Sequence, residues 1–141
     1  MQTFNKRVEF DFNIFEKIEA GIVLSGGEAR AVRTGHIDLT NSFVKIIENE
    51  AYLVNANIPI PGKRQYDPTT SRKLLLHKSQ ILDFLVKSKQ KKLTIVPIVI
   101  YTKERLIKLE IALAKSKKAF EKKEAKKKED IKRDIDRELS S

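Results

Sequence analysis

The chain has 141 residues, no cysteine and a formal charge of +10, from 29 Lys and Arg against 19 Asp and Glu. That length accommodates one compact domain with an appendage and leaves no room for a second large one. Without cysteine there are no disulfides and no thiolate-bound zinc, and the surplus of cations draws polyanions, nucleic acid first, ahead of an acidic membrane or protein.

Met1 to Val8 carry charges where a secretory signal needs an apolar run, and no stretch approaches the ~20 apolar residues of a spanning helix. The expectation is a cytoplasmic protein with no membrane partner. Val8 to Phe12 and Ile18 to Leu24 read as strands, the second stopped by Ser25-Gly26-Gly27. Glu28 to Val32 predicts a short helix that exits at Gly35, where the left-handed backbone is free of strain. Arg30 and Arg33 are three residues apart on it, so they share a face and can grip phosphates together.

Two hairpins follow from the pattern. Phe43 to Ile47 and Tyr52 to Val54 flank Glu48-Asn49-Glu50, while Leu93 to Tyr101 and Leu106 to Leu113 flank Lys103-Glu104-Arg105. Pro97, lacking an N–H, predicts a bulge or an edge. Between the hairpins, Arg72-Lys73 form a second basic surface region ahead of Leu74-Leu75-Leu76. Ser79 to Ser88 then read as a helix with Ile81, Leu82, Phe84, Leu85 and Val86 as its apolar face. In the last strand Ile107, Leu109, Ile111 and Leu113 share one face, which turns Lys108 and Glu110 outward.

The sum is a mainly β domain, a small closed β-barrel with two or three short flanking helices and a basic C-terminal tail. Residues 1–114 are the expected barrel and 115–141 the tail, carrying net charges of +6 and +4. Eight lysines lie between Lys115 and Lys128 with Glu121 and Glu124 as the acids among them. Ile131, Ile135 and Leu139 fall on one helix face but are too few to build a core, so the tail is expected to be disordered alone and helical against a partner.

Catalytic constellations are missing. His36 and His77 have no cysteine to join them in a metal site, Ser25-Gly26-Gly27 is no nucleophile elbow, and Gly62-Lys63-Arg64 lacks P-loop spacing. Glu48 and Glu50 sit at a hairpin tip, where solvation explains them. Neither enzyme activity nor a metal or cofactor is expected. The seven Phe and three Tyr fall in strand patterns compatible with core, and no stacking platform for bases can be picked out.

Several blocks, in order, resemble the small protein B family, the SsrA-binding proteins. They are Asn5-Lys6, Glu19-Ala20-Gly21-Ile22, the run from Gly26 to Gly35, Asp67-Pro68, Arg72-Lys73-Leu74-Leu75-Leu76-His77, and Ala114-Lys115-Ser116-Lys117-Lys118. The resemblance implies a barrel related to the OB fold and an adaptor that binds the tRNA-like domain of transfer-messenger RNA. With elongation factor Tu in the delivery complex, it would bring that RNA to stalled ribosomes. Glu19, Leu75 and Lys108 stand where the family binds RNA, with Asn5, Lys6, Arg30, Arg33 and Lys73 as further candidates.

The family also implies a tail that enters the empty messenger channel near the decoding centre and becomes helical there. Lys115, Lys117, Lys118, Phe120, Lys122, Lys123, Lys126, Lys127 and Lys128 would make its ribosome contacts. Thr70 departs from the family's Arg, Phe12 stands where Tyr is common, and Phe120 where His or Tyr is frequent. A monomer is expected, since no zipper is visible. The competing reading is a basic OB-like protein that binds ribosomal or transfer RNA structurally.

Overall fold

The computed structural model describes residues 1–123. Within them the fold is mainly β with a few helices, in the order β1 (Gln2–Phe4), α1 (Val8–Asp11), β2 (Phe12–Ile22), α2 (Gly26–Arg33), β3 (Phe43–Ile47), β4 (Glu50–Val54), β5 (Arg72–Leu75), α3 (Lys78–Gln90), β6 (Thr94–Lys103) and β7 (Leu106–Ser116). Every pairing is antiparallel. From β6 the pairings pass through β3, β4, β5, β2 and β7 and return to β6, and β1 adds to β6 on the side.

Both expected hairpins form. Their tips, Glu48-Asn49 and Glu104-Arg105, have positive φ at both central residues (50° and 62°, 50° and 69°), the twist that suits a two-residue hairpin turn. The register slips between Pro97 and Val99, so Pro97 sits at a bulge, where a missing N–H costs no ladder bond.

In the main core Leu39, Leu53, Ile58, Leu74, Ile100, Leu109, Ile111 and Leu113 are fully buried. A second cluster, Val8, Val96, Ile98, Val99, Ala112 and Ala114, packs on the other side of β6 and β7. Covered on both faces, β6 is apolar without alternation from Ile95 to Ile100. In β7, Leu109, Ile111 and Leu113 point into the main core, and Lys108 and Glu110 stay partly exposed on the outer side.

Three expectations are corrected. Val8–Asp11 is a helical turn, not a strand: the amides of Phe10 and Asp11 donate to the Arg7 carbonyl, Arg7 pairs with Asp11 at 3.6 Å, and Val8 is driven into the second core. In place of the two strands expected at Val8 to Phe12 and Ile18 to Leu24 there is one, β2, from Phe12 to Ile22, with a bulge between Ile14 and Glu16. On α3, Ile81 and Phe84 are buried while Leu82 and Val86 stay about half exposed, so the packed stripe is narrower than the apolar pattern. β7 also continues through Lys115 and Ser116, opposite Asn13 and Phe12.

Among the described residues no helix is long and apolar enough to cross a membrane.

Candidate nucleic-acid interface

Strand register brings residues distant in sequence into one transverse row. Leu75 lies opposite Gly21, Gly21 opposite Lys108, Lys108 opposite Tyr101 and Tyr101 opposite Gln2, across β5, β2, β7, β6 and β1. Partners directly opposite on antiparallel strands project to the same side, and here that side faces outward, since Ala20, Leu74, Ile100 and Leu109 fill the interior. Glu19, two residues before Gly21, is exposed on the same face, opposite Glu110. Glu19, Leu75 and Lys108 are thus brought together.

Gly21 matters here for its missing side chain. A Cβ at this position would lie 3.1 Å from Leu75 Cβ, so the glycine lets Leu75 lean over the β2 backbone as an exposed apolar ridge. Beside the ridge, Glu19 accepts a hydrogen bond from the Tyr101 hydroxyl and pairs with Lys103 at 3.6 Å. That hydrogen bond, then the charges of Lys103 and Lys108, hold the Glu19 carboxyl below its ordinary range. Burial, and then the bond to Glu19, push the Tyr101 hydroxyl up to about 12. Glu19 is therefore an ionised acceptor with one hydroxyl and one ammonium already directed at it. Sequence reasoning missed Tyr101 and Lys103. The two-residue alternation from Tyr101 to Lys103 was a signal, but their convergence on Glu19 depends on β2, β7 and β6 lying side by side.

The helix α2 delivers Arg30 and Arg33. Ser25 and Glu28 close a capping box at its start. At its end the amides of Gly35 and His36 return to the carbonyls of Val32 and Ala31, with Gly35 at φ 82°. Arg33 Nη2 donates to the Arg105 carbonyl at 2.7 Å, which fixes the helix end beside the β6–β7 turn and near Lys103. Arg30 is exposed one turn earlier.

Arg72, read as surface, is instead buried. Its Nε and Nη2 donate to Glu28 Oε2 at 2.8 and 2.7 Å, Nη1 to the Ala56 carbonyl at 2.7 Å, and Nη2 also to the Pro68 carbonyl and the Tyr66 hydroxyl. The guanidinium joins α2, the 56–68 loop and β5. Its neighbour Lys73 is exposed and pairs with Glu50 at 3.5 Å.

The remaining candidates lie elsewhere. Asn5 is buried: its amide nitrogen Nδ2 donates to the Pro97 carbonyl at 2.9 Å and its backbone N–H to Ile98, so the side chain serves the bulge. Lys6 is exposed beside it. At the root of the tail, Lys117 donates from Nζ to the Glu9 carbonyl at 2.7 Å and from its backbone to Asp11, and Lys122 pairs with Asp11 at 3.7 Å. Asn13 donates to Glu121 at 3.1 Å. Residues 119–123 are helical, with Phe120 61% exposed and Lys115, Lys118 and Lys123 also at the surface. Lys126, Lys127 and Lys128, and the stripe of Ile131, Ile135 and Leu139, lie outside the described residues. Among the described residues no group of His, Asp and Glu is placed to hold a metal.

Comparison with known proteins matches the family described as SmpB protein over residues 2–141. An SsrA-binding protein of Sulfurihydrogenibium sp. is 48% identical over 136 residues, covering 94% of this chain and 90% of the relative. That of Persephonella marina is 46% identical, covering 93% and 88%. A chain of the solved structure described as "tmRNA-SmpB: a journey to the center of the bacterial ribosome" superposes with a TM-score of 0.69 at 43% identity, over 84% of this chain and 85% of that one.

Proposed function

The chain belongs to the SmpB protein family, and from that premise we propose that it is an RNA-binding adaptor of trans-translation. It binds the tRNA-like domain of transfer-messenger RNA and brings it to ribosomes stalled on messages lacking a stop codon. The observation that carries this reading is the outward row of Leu75, Gly21, Lys108 and Tyr101 with Glu19 beside it.

Structured RNA is recognised by shape, phosphates and 2′-hydroxyls, with little for an exposed aromatic sheet to read. The row offers groups of the right kinds. Lys108 and Lys103, with Arg33 and Arg30 beyond the β6–β7 turn, supply cations for phosphates, and Leu75 supplies an apolar ridge for a sugar or base edge. Glu19 repels phosphate, so it accepts from a 2′-hydroxyl or an exocyclic amine while holding Tyr101 and Lys103 in position. Asn5 and Lys6 lie apart from this row, Asn5 acting through the Pro97 bulge.

The circuit of strand pairings supports a closed barrel related to the OB fold as the platform. Residues 1–114 form its body, with the last pairs of β7 reaching Ser116, and the remainder of 115–141 is the ribosome-directed tail. The tail root is tied to α1 through Lys117 and Lys122 and to β2 through the bond from Asn13 to Glu121, so the tail leaves from a fixed point. In this reading the tail enters the messenger channel of the small subunit, ordered by ribosomal RNA phosphates, and elongation factor Tu accompanies the monomeric protein in the cytoplasm. The adaptor itself performs no catalysis.

The test is a reconstituted tagging reaction on ribosomes stalled on messages without a stop codon. The intact chain is expected to support peptide tagging, and Lys108→Ala to lower it through weaker RNA binding. No tagging by the intact folded chain would refute the reading.

A further inference from the structure

The outer faces of β3, β4 and β5 form a second open surface next to the row, and its centre is aromatic. Outward positions are Phe43, Lys45 and Ile47 on β3, Glu50, Tyr52 and Val54 on β4, and Lys73 and Leu75 on β5. The alternate residues Val44, Ala51, Leu53, Arg72 and Leu74 are buried. Register sets Lys45 opposite Tyr52 and Tyr52 opposite Lys73, so one tyrosine stands between two lysines. Phe43 and Ile47 keep 38% and 46% of their surface exposed, so this face is open to solvent.

We propose that Tyr52 is a stacking platform for one unpaired nucleotide of the bound RNA, with Lys45 and Lys73 holding the flanking phosphates. The proposal rests on the RNA-adaptor reading and adds a specific subsite to it. Tyr52 takes no part in the main core, which Ala51 and Leu53 fill from the same strand. Among the described residues its hydroxyl makes no hydrogen bond and Lys45 makes no ion pair, so neither is committed to the fold. Lys73 shares Glu50 at 3.5 Å, an exposed pair of the kind that a phosphate can displace at little cost.

The occupant follows from charge and continuity. Two cations against one carboxylate favour a polyanion, and a half-buried aromatic ring between them suits a base, because stacking needs only a π-face and tolerates any sequence. Leu75 belongs to both surfaces: it is two residues from Lys73 on β5 and directly opposite Gly21 in the row. An RNA seated on the Glu19–Lys108 row therefore has a path along β5 to Tyr52.

The chain contains no tryptophan, so Tyr52→Trp makes a single fluorescent reporter at the site. Titrated with a transcript of the tRNA-like domain, it should be quenched as a base stacks on the indole. Tyr52→Ala should weaken binding of the same transcript by about tenfold, while Tyr52→Phe, which keeps the ring, should bind like the native chain. If Tyr52→Ala fails to fold, the Trp and Phe variants still decide the matter. Unquenched tryptophan at saturation, or native affinity for a folded Tyr52→Ala alongside weakened Lys108→Ala, would overturn the platform and leave the adaptor reading standing. A native chain that binds this transcript no better than ordinary tRNA would bring down both.

Discussion

Replacing Arg72 with methionine tests how α2 is held to the strands. The native guanidinium is 2% exposed in its side chain and lies 2.7 Å from a Glu28 carboxylate that is itself 10% exposed. The substitution leaves that carboxylate buried without its cation and frees the carbonyls of Ala56 and Pro68 and the Tyr66 hydroxyl. Breaking one side of such a pair costs ~3–5 kcal/mol. In a domain of this size that lowers Tm by roughly 10–20 °C, measured by circular dichroism or by urea unfolding. Glu28→Gln keeps a shape that can still bond, and should cost less, about 1–3 kcal/mol. Burial alone would push the Glu28 carboxyl up, but the Ser25 amide and Arg72 outweigh it and the net position is below the ordinary value. A carboxyl lowered by folding contributes stability above its unfolded pKa and loses it as pH falls through the folded pKa. The native chain should therefore weaken below roughly pH 4, and Arg72→Met should show less of this acid dependence. A loss under about 1 kcal/mol at neutral pH would refute the assignment of Arg72 as a buried structural cation.

Gly21→Ala should leave the fold intact but displace Leu75, 3.1 Å from the new Cβ, and lower affinity for transfer-messenger RNA by roughly three- to tenfold in a gel-shift titration. Unchanged affinity would detach the Leu75 ridge from RNA binding. The ultraviolet absorbance of phenolate should show Tyr101 titrating at about 12, and Glu19→Ala should move that component down, whereas a component unmoved by the substitution would contradict the Tyr101–Glu19 bond. Deleting residues 118–141 should keep transfer-messenger RNA affinity within about threefold, since the row is untouched, while abolishing tagging on stalled ribosomes. Full tagging by the truncated chain would show that the tail has no part in rescue.

Features set by local sequence were legible. The hairpins, the helix ended by Gly35, the irregularity at Pro97 and the outward course of Lys108 follow from turn chemistry and two-residue alternation. Features set by tertiary contacts were not. Val8, Phe10 and Phe12 alternate as a strand would, and what makes Val8–Asp11 helical is Val8 entering a core formed by β6 and β7. Arg72 resembled any surface cation because its partner, Glu28, is 44 residues away. The resemblance marked Glu19, Leu75 and Lys108 one by one. Only register could place them together and add Gly21 and Tyr101, and only register could seat Tyr52 between Lys45 and Lys73.

The most direct test of the adaptor account compares binding of the purified chain to transfer-messenger RNA and to an equal concentration of ordinary tRNA, at near-physiological salt where nonspecific attraction is suppressed. The account predicts a clear preference for transfer-messenger RNA that Glu19→Ala or Lys108→Ala weakens. Equal, weak binding to both RNAs, unaffected by either substitution, would contradict it and leave a basic protein that binds RNA by charge alone.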